Sequence, residues 1–131
     1  MRMCAAVVVG AYTLLSGSVL AEIQSEDPAV HLNYATILFY KGRGQMGQGE
    51  TDAAKATFRE VQAELELAMK LSEQDPDDMR RQLLRSQAAF LLGDVSLFVL
   101  KDRDKAKAFY EESIKHFPQH AGAVEALKRF E

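Results

Sequence analysis

Proline occurs at only three positions in this chain, Pro28, Pro76 and Pro118. Each opens or stops a helix, and the stretches between them carry helical periodicity with little strand-like alternation. Asp27 followed by Pro28 reads as a cap with proline in the first helical turn. From there a first helix is predicted through Leu32, Ala35, Leu38 and Phe39 to about Lys41. The glycines of 42–49 are expected to break it. A second helix is predicted over Thr51–Ser72, where Ala54, Phe58, Val61, Leu65 and Ala68 form one apolar stripe. Asp75–Pro76–Asp77 is a turn, and a third helix follows over Asp78–Leu100 with Leu83, Leu84, Ala88, Leu91, Leu92, Val95 and Phe98. A fourth covers Asp104–His116, and after Pro118 a last short one covers His120–Phe130. The expected fold class is all-α.

The first twenty-one residues read differently. Met1–Arg2–Met3 is a short positive start, Cys4 to Leu20 is uncharged and apolar or small, and Val19-x-Ala21 offers a cleavage site before acidic sequence begins at Glu22. That order describes a secretory signal peptide. The expectation is therefore a signal peptide at 1–21, a domain at 22–131, and a periplasmic or secreted location. The alternative is a membrane anchor at residues 4–20, a run close to the ~20 residues that span a bilayer. Cys4 is the sole cysteine. Cleavage would leave a domain without thiol chemistry, held together by packing, and without stable membrane insertion.

Within the domain, Leu92–Gly93 followed by Ala106-x3-Tyr110-x2-Ser113-x4-Pro118 resembles a tetratricopeptide repeat. Small residues at 93 and 106 let two helices approach, Tyr110 fits between them, and Pro118 ends the pair. A looser copy is found in Tyr34–Ala35, then Ala54-x3-Phe58-x2-Val61 and Pro76. Pairing Ala35 with Gly93 gives a spacing of 58 residues, against a family period of about 34. The excess is assigned to the first loop, the second helix and the start of the third. The expectation is about two antiparallel helix pairs with an elongated central hairpin and a C-terminal capping helix. The hairpin is expected to project beyond the repeat body, with Asp75, Asp77 and Asp78 at its tip.

Other chemistry is weighed and set aside. Gly42-x-Gly44-x-x-Gly47 matches a dinucleotide fingerprint in letters, but that motif needs a preceding strand and a βαβ unit. His116 and His120 have i, i+4 spacing with Pro118 between them, which leaves them as solvated turn residues; no metal and no cofactor is expected. Glu64–Glu66 and Glu111–Glu112 read as solvated faces, and no nucleophile motif is present, so no catalytic residue is assigned. With 16 basic against 19 acidic residues and no basic stripe, nucleic-acid binding is not expected.

The resemblance implies protein or peptide binding on the concave face lined by the first helix of each pair. Carried over by position, that face comprises Leu32, Asn33, Thr36, Phe39 and Tyr40, then Gln87, Phe90, Asp94 and Phe98. The first helix also has more large apolar residues than one buried stripe needs, and Leu97-Phe98-Val99-Leu100 is apolar all round. The expected function is an exported interaction adaptor or assembly subunit of an envelope complex. Self-association through the first helix and the 97–100 patch is the alternative, and a small ligand- or metal-binding protein is the third.

Overall fold

The computed structural model describes residues 25–131; the expected signal peptide lies outside the described residues. Five α-helices follow one another, with no strand among the described residues: α1 (Pro28–Gly47), α2 (Thr51–Ser72), α3 (Asp78–Asp94), α4 (Arg103–His116) and α5 (Ala121–Leu127). A π-helical turn, Val95–Val99, extends α3, and a 3-10 turn, Lys128–Phe130, ends the chain. α1 packs antiparallel on α2 and α3 on α4, with α2 and α3 joined through the Pro76 turn and α5 closing the end.

Helix starts follow local chemistry. Asp27 Oδ1 accepts from the Ala29 amide at 3.0 Å, Asp77 Oδ1 from Arg80 at 3.1 Å, and Asp102 Oδ1 from Lys105 at 3.0 Å, so three acidic caps open α1, α3 and α4. His120 caps α5: its Nδ1 accepts from the Ala123 amide at 3.1 Å, and its Nε2–H donates to Gln87 Oε1 at 2.8 Å. The bonds fix the neutral tautomer, and burial holds this imidazole below its ordinary pKa. His116 is likewise committed, with Nδ1 at 2.9 Å from Gln82 Oε1. Neither histidine is a solvated turn residue.

α1 departs from expectation at its end. The helix continues through Gly42, Gly44 and Gly47, and the turn comes only at Gln48–Gly49, where Gly49 takes a φ of 79°. Glycine costs about 1 kcal/mol inside a helix, and Gly42 shows what offsets it. A Cβ there would stand 2.8 Å from Phe58 Cζ, so the bare backbone is what allows the ring to seat. Gly93 does the same for Tyr110, with Cε1 2.6 Å from its notional Cβ. The true partner of Gly93 is therefore Gly42 rather than Ala35, and their spacing is 51 residues. No excess resides in the first loop. The surplus lies in the lengths of α2 and the start of α3.

The core has two parts. Leu32, Ala35, Leu38 and Phe39 of α1 meet Phe58, Val61 and Leu65 of α2, Ala88, Leu91 and Leu92 of α3 and Val95 of the π-helical turn. Ala106 and Tyr110 of α4 meet Ala126 of α5, with Phe90, Leu97 and Phe130 around them. Between α3 and α4, Ser86 Oγ donates to the Ser113 carbonyl and Ser113 Oγ to the Ser86 carbonyl, both at 2.8 Å. This pair is fully buried and fully satisfied.

The hairpin of α2 and α3 is long, but its turn is not a free projection. The first turn of α1 lies against it: Arg80 donates to Asp27 at 2.8 Å and also to Asp75. Glu26, Asp27, Pro28, Leu71, Gln74 and Pro76 border an open cleft around that guanidinium. The Arg80 hydrogen bond, then the Ala29 amide, holds the Asp27 carboxyl below its usual range. The Asp77 amide and Arg80 do so for Asp75.

Two substitutions separate the roles of the glycines. Gly93→Ala forces its Cβ into a ring that is itself pinned, and is expected to destabilise by about 2 kcal/mol. Gly44, whose Cβ would meet nothing within 4 Å, gains up to about 1 kcal/mol on replacement by alanine. Thermal melts read both, and equal shifts would show that Tyr110 does not depend on the bare backbone. The His120 cap has a pH signature. Its proton affinity is lower folded than unfolded, so its contribution is complete above about pH 6.5 and is lost as pH falls below that value. His120→Asn keeps a cap without the titration. The wild-type minus variant stability is expected to fall on acidification, and a flat difference would refute the assignment.

Candidate functional site

α1 buries one stripe, and part of its surplus of large apolar residues, Ile37 and Tyr40, stays exposed. Leu32, Ala35, Leu38 and Phe39 belong to the core shared with α2 and α3, and Gly42 seats Phe58 of α2. Leu32 is 8% exposed and Phe39 5%. These two are core residues and not part of an open binding face. Phe39 meets Phe58 edge-on, with centroids 5.8 Å apart. Phe90 is also mostly committed, tilted against Tyr110 at 5.9 Å and against His120 at 4.7 Å.

The remaining positions stay closer to the surface. Asn33 is exposed, Thr36 is half-buried and donates to the Leu32 carbonyl at 2.9 Å, and Tyr40 is 66% exposed with its edge on Phe39. On α3, Gln87 is half-buried and tied to His120, and Asp94 is half-buried with Oδ1 accepting from the Tyr110 hydroxyl at 2.7 Å. Phe98, in the π-helical turn, is 47% exposed under the Arg129 guanidinium at 5.6 Å. Of the nine expected residues, Asn33, Tyr40 and Phe98 are open to a partner. Thr36, Gln87 and Asp94 are partly so, and Leu32, Phe39 and Phe90 support them from beneath.

Asp94 is the electrostatic centre of this surface. Burial pushes its carboxyl above the usual range, opposed by the Tyr110 hydrogen bond and by the charges of Arg129, Arg43 and His120. Burial and the Asp94 bond together push the Tyr110 phenol well up. Arg43 lies over the Phe39 ring at 6.0 Å. Arg43 on α1 and Arg129 at the chain end, each laid on an aromatic ring, are guanidiniums that sequence reading missed. Their signal was the basic residue immediately after Gly42 and the one immediately before Phe130.

The π-helical turn presents this end of the surface. The Leu100 amide donates to the Val95 carbonyl at 3.0 Å, five residues back, and Lys101 then takes a φ of 58°. The extra residue turns Leu97 into the second core and Phe98 and Leu100 outward. A π-turn of this kind is sustained where packing requires it.

The Gly42–Gly47 run lies within a helix, its amides occupied by intrahelical bonds, so it cannot cradle a phosphate. Glu64 is no solvated carboxylate, since it bonds the buried His31 at 2.6 Å. Among the described residues no three His, Cys, Asp or Glu side chains converge as a metal site, and no helix is long and apolar enough to cross a membrane.

No curated protein and no solved structure matches the chain. Residues 87–120 match the family model described as a tetratricopeptide repeat, a repeat that serves protein–protein interaction rather than catalysis. That span runs from Gln87 through Gly93, the π-helical turn and Tyr110 to the His120 cap, so the second helix pair is similar to a tetratricopeptide repeat.

Proposed function

We propose that this chain is an exported protein-interaction adaptor that engages a partner segment on the surface shared by α1 and α3. The observation that carries the reading is the pair of open aromatics, Tyr40 at 66% and Phe98 at 47% exposure, on helices whose other aromatics are packed. Aromatic and arginine side chains are the residues that most often anchor a partner. Here Arg43 and Arg129 accompany them, each held on a ring and therefore partly ordered before binding. Asn33, Thr36, Gln87 and Asp94 supply polar contacts between these anchors. Export rests on the sequence of residues 1–21, and a role in an envelope complex is the form of interaction that export suggests.

A second reading, self-association, has its own observation. Val30, Ile37 and Tyr40 lie along the outward side of α1, exposed by 38%, 66% and 66%. Sedimentation of the purified chain distinguishes the two, because a monomer leaves this stripe to another protein.

The test is affinity capture of the tagged full-length chain from the cell envelope after crosslinking, with mass spectrometry of bait and prey. The expected bait begins at Glu22 and carries a stoichiometric partner. Recovery with Met1 retained would overturn cleavage. Tyr40→Ser combined with Phe98→Ser is expected to weaken capture by roughly thirty-fold, about 2 kcal/mol, with the thermal melt nearly unchanged. Phe39→Ser is expected instead to lower stability by about 3 kcal/mol or more. Undiminished capture by the double variant would remove the shared α1–α3 surface from the account.

A further inference from the structure

α1 carries two seams on opposite sides. His31, Ala35, Leu38 and Gly42 lie on the buried one. Val30, Asn33, Ile37 and Tyr40 repeat the spacing of three and four residues on the other side, and all four are exposed. That spacing is the one along which two helices pack side by side at a small crossing angle. Three of the four exposed side chains are large and mainly apolar, so water covers a seam that has the pattern of a helix contact.

The charges at the two ends of this seam are opposite in sign. Glu26 and Asp27 stand at its start, and Lys41 and Arg43 at its end, all four exposed. Asp27 Oδ1 serves the Ala29 amide and Arg80, which leaves Oδ2 for a further donor. Lys41 makes no ion pair among the described residues. A second α1 laid antiparallel about a two-fold axis sets the acidic end of each helix on the basic end of the other. Val30 then faces Tyr40 of the second copy, Asn33 faces its Ile37, and Asp27 lies beside its Lys41. The axis makes each pairing twice. A parallel pair would instead bring the two Lys41 ends together, and like charges juxtaposed oppose association.

We infer that two copies of this chain pair through an antiparallel α1–α1 contact. The inference rests on the self-association reading and supplies its geometry. Gly44, where a Cβ would meet nothing within 4 Å, leaves room at the basic end for the incoming Glu26 and Asp27. The overlap from Asp27 to Arg43 is about 25 Å of helix. One helix pair of that length is a small interface, of the kind that forms and exchanges readily. A partner segment that takes Tyr40 therefore takes the place of the second copy, and the two occupants exclude one another.

The test mixes full chains of ordinary and heavy-nitrogen composition and treats them with a carbodiimide, which joins a carboxylate to an amine in direct contact. Asp27 and Lys41 of one helix are about 21 Å apart along its axis, so this link cannot form within one copy. The expected product joins Lys41 to Asp27 or Glu26, with one half heavy and the other light. Ile37→Glu sets two carboxylates in the middle of the seam. It is expected to abolish the mixed link and leave the thermal melt nearly unchanged, because Ile37 is exposed. Asn33→Leu, facing Ile37 of the second copy, is expected to tighten pairing roughly fivefold. A mixed link that persists in I37E, or a dimer in sedimentation without the Lys41 link, overturns the antiparallel pairing and leaves self-association standing. A monomer in sedimentation removes both. If I37E does not fold, N33L decides: an unchanged yield of the mixed link overturns the pairing.

Discussion

An aromatic ring seated on a glycine backbone sets the geometry of both helix pairs. Phe58 lies on Gly42 and Tyr110 on Gly93, in each case at a distance where any Cβ would collide. The contact fixes the spacing and register of α1 on α2 and of α3 on α4. The two pairs then differ in how the ring is secured. Phe58 is held by apolar neighbours, Phe39 among them. Tyr110 adds a hydroxyl bond to Asp94, which carries the effect of a core contact out to the proposed binding surface. A change at Gly93 would therefore be felt at Asp94 through one rigid ring.

Polar groups inside the body act as registration pins. Ser86 and Ser113 exchange hydroxyl-to-carbonyl bonds across α3 and α4 at a point where only small residues fit. Each serine satisfies a backbone acceptor of the other helix, so sliding one helix along the other would strand two buried hydroxyls. Arg80 works at the periphery, joining the cap of α1 to the turn between α2 and α3. Its arm to Asp27 is exposed and adds little stability. Its effect is positional: the central hairpin keeps its length and loses its freedom.

The bounds of α2 were legible in the sequence because threonine and serine ends flank an uninterrupted apolar stripe between a glycine turn and a proline turn. The end of α1 was not. Glycine's low helix propensity predicts a break at Gly42, and tertiary packing on Phe58 overrides it. Pairing Ala35 with Gly93 placed the repeat seven residues out of register. Seven residues are nearly two helical turns, so the error shifts position along the axis by about 10 Å and rotates the face by only ~20°. This is why the helix faces were largely right while Leu32 and Phe39 were assigned outward. Leu32, Ala35, Phe39 and Gly42 are spaced i, i+3, i+7 and i+10 and form one buried stripe, with Phe39 on Phe58 of α2. The π-helical turn was also illegible, since one extra residue in a helix leaves no mark in an apolar run such as Leu97–Leu100.

The two ends of this short array are unequal, and the inequality bears on where a partner engages. Stacked helical repeats bury their faces against neighbours and need a polar outer surface at each terminus. At the C-terminal end that condition is met: α5 and its 3-10 turn cover Tyr110 with Ala126 and Phe130, and Glu125, Lys128 and Arg129 face outward. Arg103 closes over Phe130 at 4.6 Å and bonds the Arg129 carbonyl. At the N-terminal end the outward side of α1 carries Val30, Ile37 and Tyr40, with Gly44 open beside them. Among the described residues this stripe of exposed apolar side chains on α1 includes Tyr40, with Phe98 and Leu100 exposed at the π-helical turn. A segment bound along α1, as proposed, would gain apolar contact with Val30, Ile37 and Tyr40 and a guanidinium contact at Arg43, whereas at the other end Val124 is exposed singly among charged side chains.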